Sequence, residues 1–405
     1  MAFAPATRFL VRPPDVLYSQ RLERERPKMK EGAVEIWTLV CEACGHTESL
    51  ETKEWRCPAC GGAFGLGGPN RLDPAAIDPD APGIWRYHAV LPVGVSDAQS
   101  LGEGMTPLVR GKLAGRAVWF KLDALLPTGS FKDRGAALLV SHLRRTGKRR
   151  VIVDSSGNAA AAMSGYSAAA GLECAVYAPA STSPGKLVQS RAFGASVTPV
   201  EGNRDDVARA AQDAAEADPS AFYASHNWHP VFVEGVKTWL LEVWEQLDRR
   251  QPAACFVPTG GGSALVGAWR AVQALPGPAT ALIAAQPTAC APVASAIEQQ
   301  AEIQPVTPGN TIAEGTRIGS PARTHQILAA VRETNGTARA VSDEEIIAAL
   351  RELWSQGLYV EPTAAVGAAA CRQMIQAGAP LPDGDLVVLL TGSGLKATET
   401  IGKLV

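Results

Sequence analysis

The sequence predicts an α/β fold with mainly parallel sheets, and three observations carry that expectation. From about residue 101 short apolar runs alternate with alanine-rich helical stretches. Runs such as 150–156 (RVIVDSS) and 385–392 (DLVVLLTG) are continuously apolar, as strands covered on both faces are. The loops between these segments are short.

Taken in order, residues 117–123 read as a strand and 131–146 as a helix. Strand 150–156 leads into a helix from Asn158 to Gly171. Strand 174–179, helix Gly185–Phe193, strand 196–201 and helix 203–217 repeat the unit. Then come strand 254–259, a helix after Ser263, strand 281–286, helices 343–356 and 363–376, and strand 385–392. No internal repeat of fixed period is present. Upstream, residues 1–37 read as a charged arm, 38–68 as a cysteine-bearing module, and 69–100 as a Pro/Asp/Gly-rich linker.

At 405 residues and 46% hydrophobic content, the chain is long enough for more than one domain. A formal charge of −2 argues against general nucleic-acid binding. No apolar run is long enough to cross a membrane. Met1 to Pro14 lack the apolar core and cleavage site of a signal peptide, so a cytoplasmic location is the expectation. Of eight cysteines, Cys174, Cys255, Cys290 and Cys371 are scattered in apolar surroundings and read as small buried hydrophobes.

The other four form two Cys-x-x-Cys pairs, Cys41/Cys44 and Cys57/Cys60, each followed by glycine. Two residues between thiolates let one tight turn present both sulfurs to one ion, and two such turns complete a tetrahedral zinc site, or an iron site in its place. All four positions are filled by protein, so the expected role is structural. Few basic residues (Lys53, Arg56) surround the module, which argues against a nucleic-acid-binding ribbon, and His46 reads as a bystander.

Four further segments carry chemistry. In 128–135 (TGSFKDRG), Lys132 stands at the start of a helix, where unpaired N–H groups disfavour an ammonium and favour the neutral amine that attacks aldehydes. The bland alternative is a solvated lysine on a first helical turn. In 155–162 (SSGNAAAA), Ser155, Ser156, Gly157, Asn158 and Ala159 make an anion-receptive turn suited to a substrate carboxylate, or an ordinary helix cap. Thr259, Gly260, Gly261, Gly262 and Ser263 lie between a strand and a helix, where backbone amides can close on a phosphate. A plain flexible turn is the other reading. Thr391 sits at the carboxyl end of the last strand, where open α/β sheets place ligands; Ser393 is the weaker candidate there.

The order lysine, asparagine loop, glycine loop, hydroxyl resembles that of fold-type II pyridoxal 5′-phosphate (PLP) enzymes, the tryptophan synthase β superfamily, over residues 101–405. Within that class the chain looks most like threonine synthases over roughly 38–405, through the ribbon, IWRYHAVLPV, LGEGMTPL, TGSFKDRG, TRIGSP, VEPTAAVG and TGSGLK. The resemblance implies two open parallel-sheet α/β domains, a large one from 101–129 and 236–405 and a small mobile one from 130–235, in a homodimer. It implies that Lys132 forms the Schiff base with PLP, Asn158 meets the phenolic oxygen, residues 259–263 hold the phosphate and Thr391 meets the ring nitrogen. A hydroxyl at that nitrogen leaves the ring a weaker electron sink, which suits elimination better than transamination.

The departures narrow the substrate. Ala159 and Ala160 replace the family's Thr-Ser pair after the asparagine. Phe232 stands where the family has an arginine before a Gly-Gln-Lys-Thr turn, and Val236 replaces the glutamine. The glycine loop and TIAEG (311–315) read more like serine and threonine dehydratases. Removing the partner of a buried phosphate charge costs about 2–5 kcal/mol, so phosphohomoserine is disfavoured. The expectation is a PLP-dependent lyase or synthase acting at the β or γ carbon of an α-amino acid with a small or apolar tail. Genuine threonine synthase activity, with cations from the arm at Arg21–Lys30, Lys186 or Arg317, is one alternative. A non-catalytic PLP-fold binding protein is another, and Lys132 argues against it. Glu314, His226 and His229 are candidates for proton transfer or tail recognition, with a structural role the simpler reading of each.

Overall fold

The computed structural model describes residues 37–405, so the arm expected before Trp37 lies outside the described residues. The cysteine module is an antiparallel three-stranded sheet of β1 (Thr38–Cys41), β2 (Thr47–Ser49) and β3 (Phe64–Gly67), in the order β2-β1-β3. The linker forms short 3-10 turns, including Gly83–Val90, which buries Trp85 and Tyr87 completely.

Two larger sheets follow. One holds β6 (Arg150–Val153), β7 (Glu173–Pro179), β8 (Ser196–Val200) and β9 (Ala221–Tyr223), in the order β8-β7-β6-β9 and parallel throughout. The other holds β4 (Leu108–Leu113), β5 (Arg116–Lys121), β10 (Ala254–Pro258), β11 (Ala281–Pro287), β12 (Thr337–Val341) and β13 (Leu386–Leu389), in the order β12-β11-β10-β13-β5-β4. Here the expectation of a parallel sheet needs correction: β4 runs antiparallel to β5. Only Ala114 and Gly115 separate the two strands, and so tight a connection makes a hairpin. β10 and β13 are buried at every position, which is why they read as unbroken apolar runs. Strand order reverses between β10 and β13, the kind of switch point at which open α/β sheets form a ligand crevice.

Helices α1 (Lys132–Arg145), α2 (Asn158–Ala169), α3 (Pro184–Ala192) and α4 (Arg204–Glu216) match the sequence reading within two residues. The 17-residue helix α5 (Pro230–Gln246) has no counterpart in that reading. It is buried from Pro230 to Trp244 and therefore shows no polar face. It runs unbroken through positions 235 and 236. Beyond it lie α6 (Ser263–Ala274), α7 (Pro292–Glu298), α8 (Thr324–Glu333), α9 (Asp343–Ser355), α10 (Pro362–Gln376) and α11 (Thr398–Ile401).

Helices α1 and α5 touch backbone to backbone: a Cβ at Gly235 would lie 2.2 Å from the Arg134 carbonyl oxygen. That approach brings together four wholly buried charges. Arg134 donates through Nε and Nη2 to both carboxylate oxygens of Asp123 (2.8 Å each), and to Glu242 Oε1 and Oε2 (2.5 and 2.8 Å). Lys121 Nζ completes the set at 2.7 Å from Glu242 Oε2. Burial alone would raise the Glu242 carboxyl, but Arg134 and Lys121 overcome it and hold it at about 2. Its contribution to stability is therefore present above the ordinary carboxylate range and is lost as pH falls toward 2. Arg134→Met leaves buried Asp123 without its cation and Glu242 with Lys121 alone, and should cost about 3–5 kcal/mol of unfolding free energy in urea titrations. A variant as stable as the parent would show that the cluster is dispensable.

Candidate active site

The carboxyl ends of β6, β10 and β13 open into one cleft of about 320 Å³. Its lining brings together Lys132, Ser155, Ser156, Gly157, Asn158, Ala159, Gly260, Gly261, Gly262, Ser263 and Thr391, residues drawn from widely separated parts of the sequence. Thr259 is the exception. Its side chain is wholly buried and its Oγ1 donates to the Val257 carbonyl oxygen (2.8 Å), so it braces the loop from beneath.

Lys132 begins α1, and its Nζ donates to Ser263 Oγ at 3.1 Å. Its amine is lowered to about 7, chiefly by burial and then by the Arg204 charge, with Glu361 opposing. The direction is the one expected of a lysine at a helix start, but the cause is desolvation and the Arg204 charge rather than the helix terminus. The lysine turn is fixed by backbone bonds to the end of β13, Phe131 N–H to the Thr391 carbonyl (2.9 Å) and Ser393 N–H to the Gly129 carbonyl (2.9 Å). Asp133 turns back on the loop before the helix and accepts from the Thr128 N–H (2.6 Å) and hydroxyl.

The glycine loop is shaped by contact. A Cβ at Gly261 would lie 2.2 Å from Asn227 Oδ1, and Gly262 has φ +87°, the left-handed region that glycine adopts freely. The loop opens onto the N-terminus of the 12-residue α6. Free amides there suit a phosphate. Thr391 Oγ1 is buried at the cleft wall and has no hydrogen-bond partner among the described residues, as a hydroxyl reserved for a ligand would be. Lysine, amide cradle and orphaned hydroxyl together fit PLP.

Several lining residues have no reading in the sequence. Asn158 Nδ2 donates to Glu361 Oε1 (2.9 Å), a residue 203 positions away that precedes α10. Burial pushes the Glu361 carboxyl up to about 7, with Lys396 and Asn158 opposing. The signal available is the VEPTAAVG segment itself, whose glutamate carries no assigned role in the sequence reading. Asp154, Arg204, Asn227 and Lys396 also line the cleft. Of the three residues considered for proton transfer, His226 lines the cleft and is held well below the usual histidine range by burial, Lys132 and Arg204. Glu314 lines it and pairs with Lys186. His229 instead caps α5, its Nδ1 accepting from the Val231 N–H at 3.3 Å. Phe232 is buried with its ring 5.6 Å from Lys132 Nζ and 5.9 Å from the His226 ring.

In the ribbon, the four cysteine sulfurs lie within 4.8 Å of one another. A tetrahedral zinc with sulfurs at about 2.3 Å sets them about 3.8 Å apart. The two turns are alike: Gly45 N–H bonds the Cys41 carbonyl (2.9 Å) and Gly61 N–H the Cys57 carbonyl (2.8 Å). The donor set fits a metal ion. His46 bonds Glu48 (2.8 Å) instead.

The amine of Lys132 provides a direct test of these charges. Borohydride trapping of a small aldehyde on Lys132 of the apoprotein should rise with pH about a midpoint near 7. Arg204→Gln should move the midpoint up and Glu361→Gln should move it down, read by peptide mass spectrometry. An unmoved midpoint in both would show that neither charge reaches the amine.

Residues 99–392 match the family described as "Pyridoxal-phosphate dependent enzyme". The threonine synthase of Methanosarcina acetivorans is 29% identical over 90% of this chain and 94% of its own length. That of Methanocaldococcus jannaschii is 31% identical over 88% and 92%. The solved structure of a threonine deaminase from T.th. aligns with 31% identity and a TM-score of 0.59, covering 71% of this chain and 92% of that one. With the lysine, the amide cradle and the orphaned hydroxyl in one cleft, the chain belongs to the pyridoxal-phosphate-dependent enzyme family.

Proposed function

We propose that this protein is a PLP-dependent lyase or synthase that eliminates a leaving group from the β or γ carbon of an α-amino acid. The observation that carries the reading is Lys132: a buried amine lowered to about 7, held by Ser263 in a cleft that also contains a threonine hydroxyl with no partner among the described residues. When bound, PLP supplies the electron sink that acidifies the substrate's α C–H bond. Lys132 would hold the cofactor, and its neutral amine would accept that proton. The amides of Gly260, Gly261 and Gly262 with Ser263 bind the phosphate, and the turn Ser155–Ala159 receives the substrate carboxylate. Thr391 meets the ring nitrogen through a hydroxyl, with no charge to strengthen the sink. Asn158, tied to Glu361, orients toward the phenolic oxygen, and Glu361 is a buried group able to hold or release a proton near pH 7.

The substrate tail is read as small or apolar. Ala159 lines the cleft, Ala160 is buried, and Phe232 is packed near Lys132. Threonine synthase activity on O-phosphohomoserine is the second reading, favoured by the names of relatives matched along most of the chain. In that reading Arg204, or Lys186 released from Glu314, meets the phosphate.

The remaining parts of the proposal are a structural zinc at Cys41, Cys44, Cys57 and Cys60, a homodimer on the resemblance alone, and a cytoplasmic location on the composition of the sequence. We also propose closure of a small domain within 130–235 over the large one. Closure is supported by two links between the sides of the cleft, Lys186 to Glu314 and Lys396 to Gln189 (2.5 Å). Among the described residues no helix is long and apolar enough to cross a membrane.

Absorbance of the PLP-loaded enzyme against a panel of amino acids tests the activity. A spectral change with serine, threonine or another β-substituted amino acid, with ammonia and 2-oxo acid released, is the expected result. Threonine and phosphate from O-phosphohomoserine would establish the second reading, and no visible cofactor band would remove both. Metal analysis should find about one zinc per chain, lost in Cys41→Ser; a protein isolated without metal would count against the ribbon.

A further inference from the structure

The ribbon is joined to the cleft by a buried arginine that the activity does not use. Arg323 is 2% exposed and precedes α8. Its Nη1 donates to the Phe64 carbonyl (2.8 Å), and Phe64 pairs directly with Cys41 across β1 and β3. Its Nε donates to the Asn227 carbonyl (3.0 Å) and its Nη2 to the Trp228 carbonyl. Gln326, which accepts from Arg323 Nη1 at 2.6 Å, donates in turn to Glu42 (3.0 Å), the residue after Cys41. No carboxylate pairs with Arg323 among the described residues. Its planar fork is used to span neutral oxygens on two separate pieces of chain.

A second contact runs in parallel. Trp55, two residues before Cys57, packs edge-on against Tyr223 (4.9 Å) and Trp228 (5.1 Å). Both contacts hold the same turn, residues 223–229. That turn carries His226 and Asn227 into the cleft, and Asn227 Oδ1 lies beside Gly261, 2.2 Å from where a Cβ there would stand, in the loop read as the phosphate cradle.

We propose that the cysteine ribbon positions the active site, and that Arg323 is the positioning residue. It fixes the 223–229 turn, and through Asn227 the 260–262 loop, to a module whose own shape depends on its four thiolates. The ribbon is then a brace whose loss loosens the cofactor cradle while leaving Lys132 and both large sheets intact. The effect on the cofactor rests on the PLP reading; the effect on the turn does not.

Hydrogen exchange of the PLP-loaded enzyme, followed by peptide mass spectrometry, tests the brace. Arg323→Met should speed exchange at 223–229 and 259–263 by about tenfold or more, with α9 and α10 unchanged. PLP should dissociate more readily, and the pH at which its visible band titrates should shift. Arg323→Lys should recover part of both. Stripping metal with a chelator and reductant should reproduce the exchange pattern in the parent and add nothing at 223–229 in Arg323→Met. If Arg323→Met does not fold, Trp55→Ala and the metal-stripped parent decide by the same peptides. Exchange at 223–229 within about twofold of the parent, with faster exchange confined to 38–68, would overturn the proposal. Absence of a visible band in the parent would instead remove the PLP reading and leave the exchange result to stand.

Discussion

The placement of Lys132 depends on a charge cluster it does not touch. Arg134, two residues beyond Lys132, is locked between Asp123 after the end of β5 and Glu242 on α5, with Lys121 closing the set. Moving such ions out of water costs several kcal/mol each, and only near-ideal geometry offsets it. Thr106 and Gln246 supply the remaining bonds, Thr106 Oγ1 to Asp123 (2.8 Å) and Gln246 Oε1 from Lys121 (3.0 Å). A helix anchored this way cannot rotate about its axis without stranding a charge. The direction in which Lys132 leaves the backbone is thereby set, and with it the geometry of the cleft.

The parts of the site legible in the sequence are those the backbone makes locally. Lys132, Asn158 and the Gly260–Ser263 loop each stand where a strand or turn gives way to a helix, and such junctions leave a mark in residue order. Thr391 is legible for the same reason, as the residue at a strand's carboxyl end. The missing parts come from elsewhere in the chain. Glu361 reaches Asn158 across 203 positions, and Asn227 meets Gly261 from a different loop, a contact that no local pattern announces. Helix α5 is hidden because burial on all sides erases periodicity, and β4 because an edge hairpin leaves only a weak alternation. Thr259 shows the limit of motif logic: it belongs to the right loop, yet its side chain points beneath the cleft rather than into it.

Charge in the cleft is mixed, and burial lowers the Lys132 amine to about 7. Lys132, Lys186, Arg204 and Lys396 bring positive groups, and Asp154, Glu314 and Glu361 bring acids. Lys186 is engaged with Glu314, and Lys396 donates to the Thr128 carbonyl (2.9 Å) and to Gln189. Arg204 therefore acts on Lys132 at a distance, and Asp154 and Glu361 are themselves pushed toward neutrality by burial.

The pair of backbone bonds between the lysine turn and the end of β13 has an evolutionary corollary. Main-chain contacts do not depend on side-chain identity, so the spacing of Lys132 and Thr391 is insulated from most mutations around them. Residues 186, 204 and 311–316 around the cleft can drift while Lys132 and Thr391 keep their register. A scaffold built this way lends itself to diversification: the spacing is inherited and the lining around it is free to change.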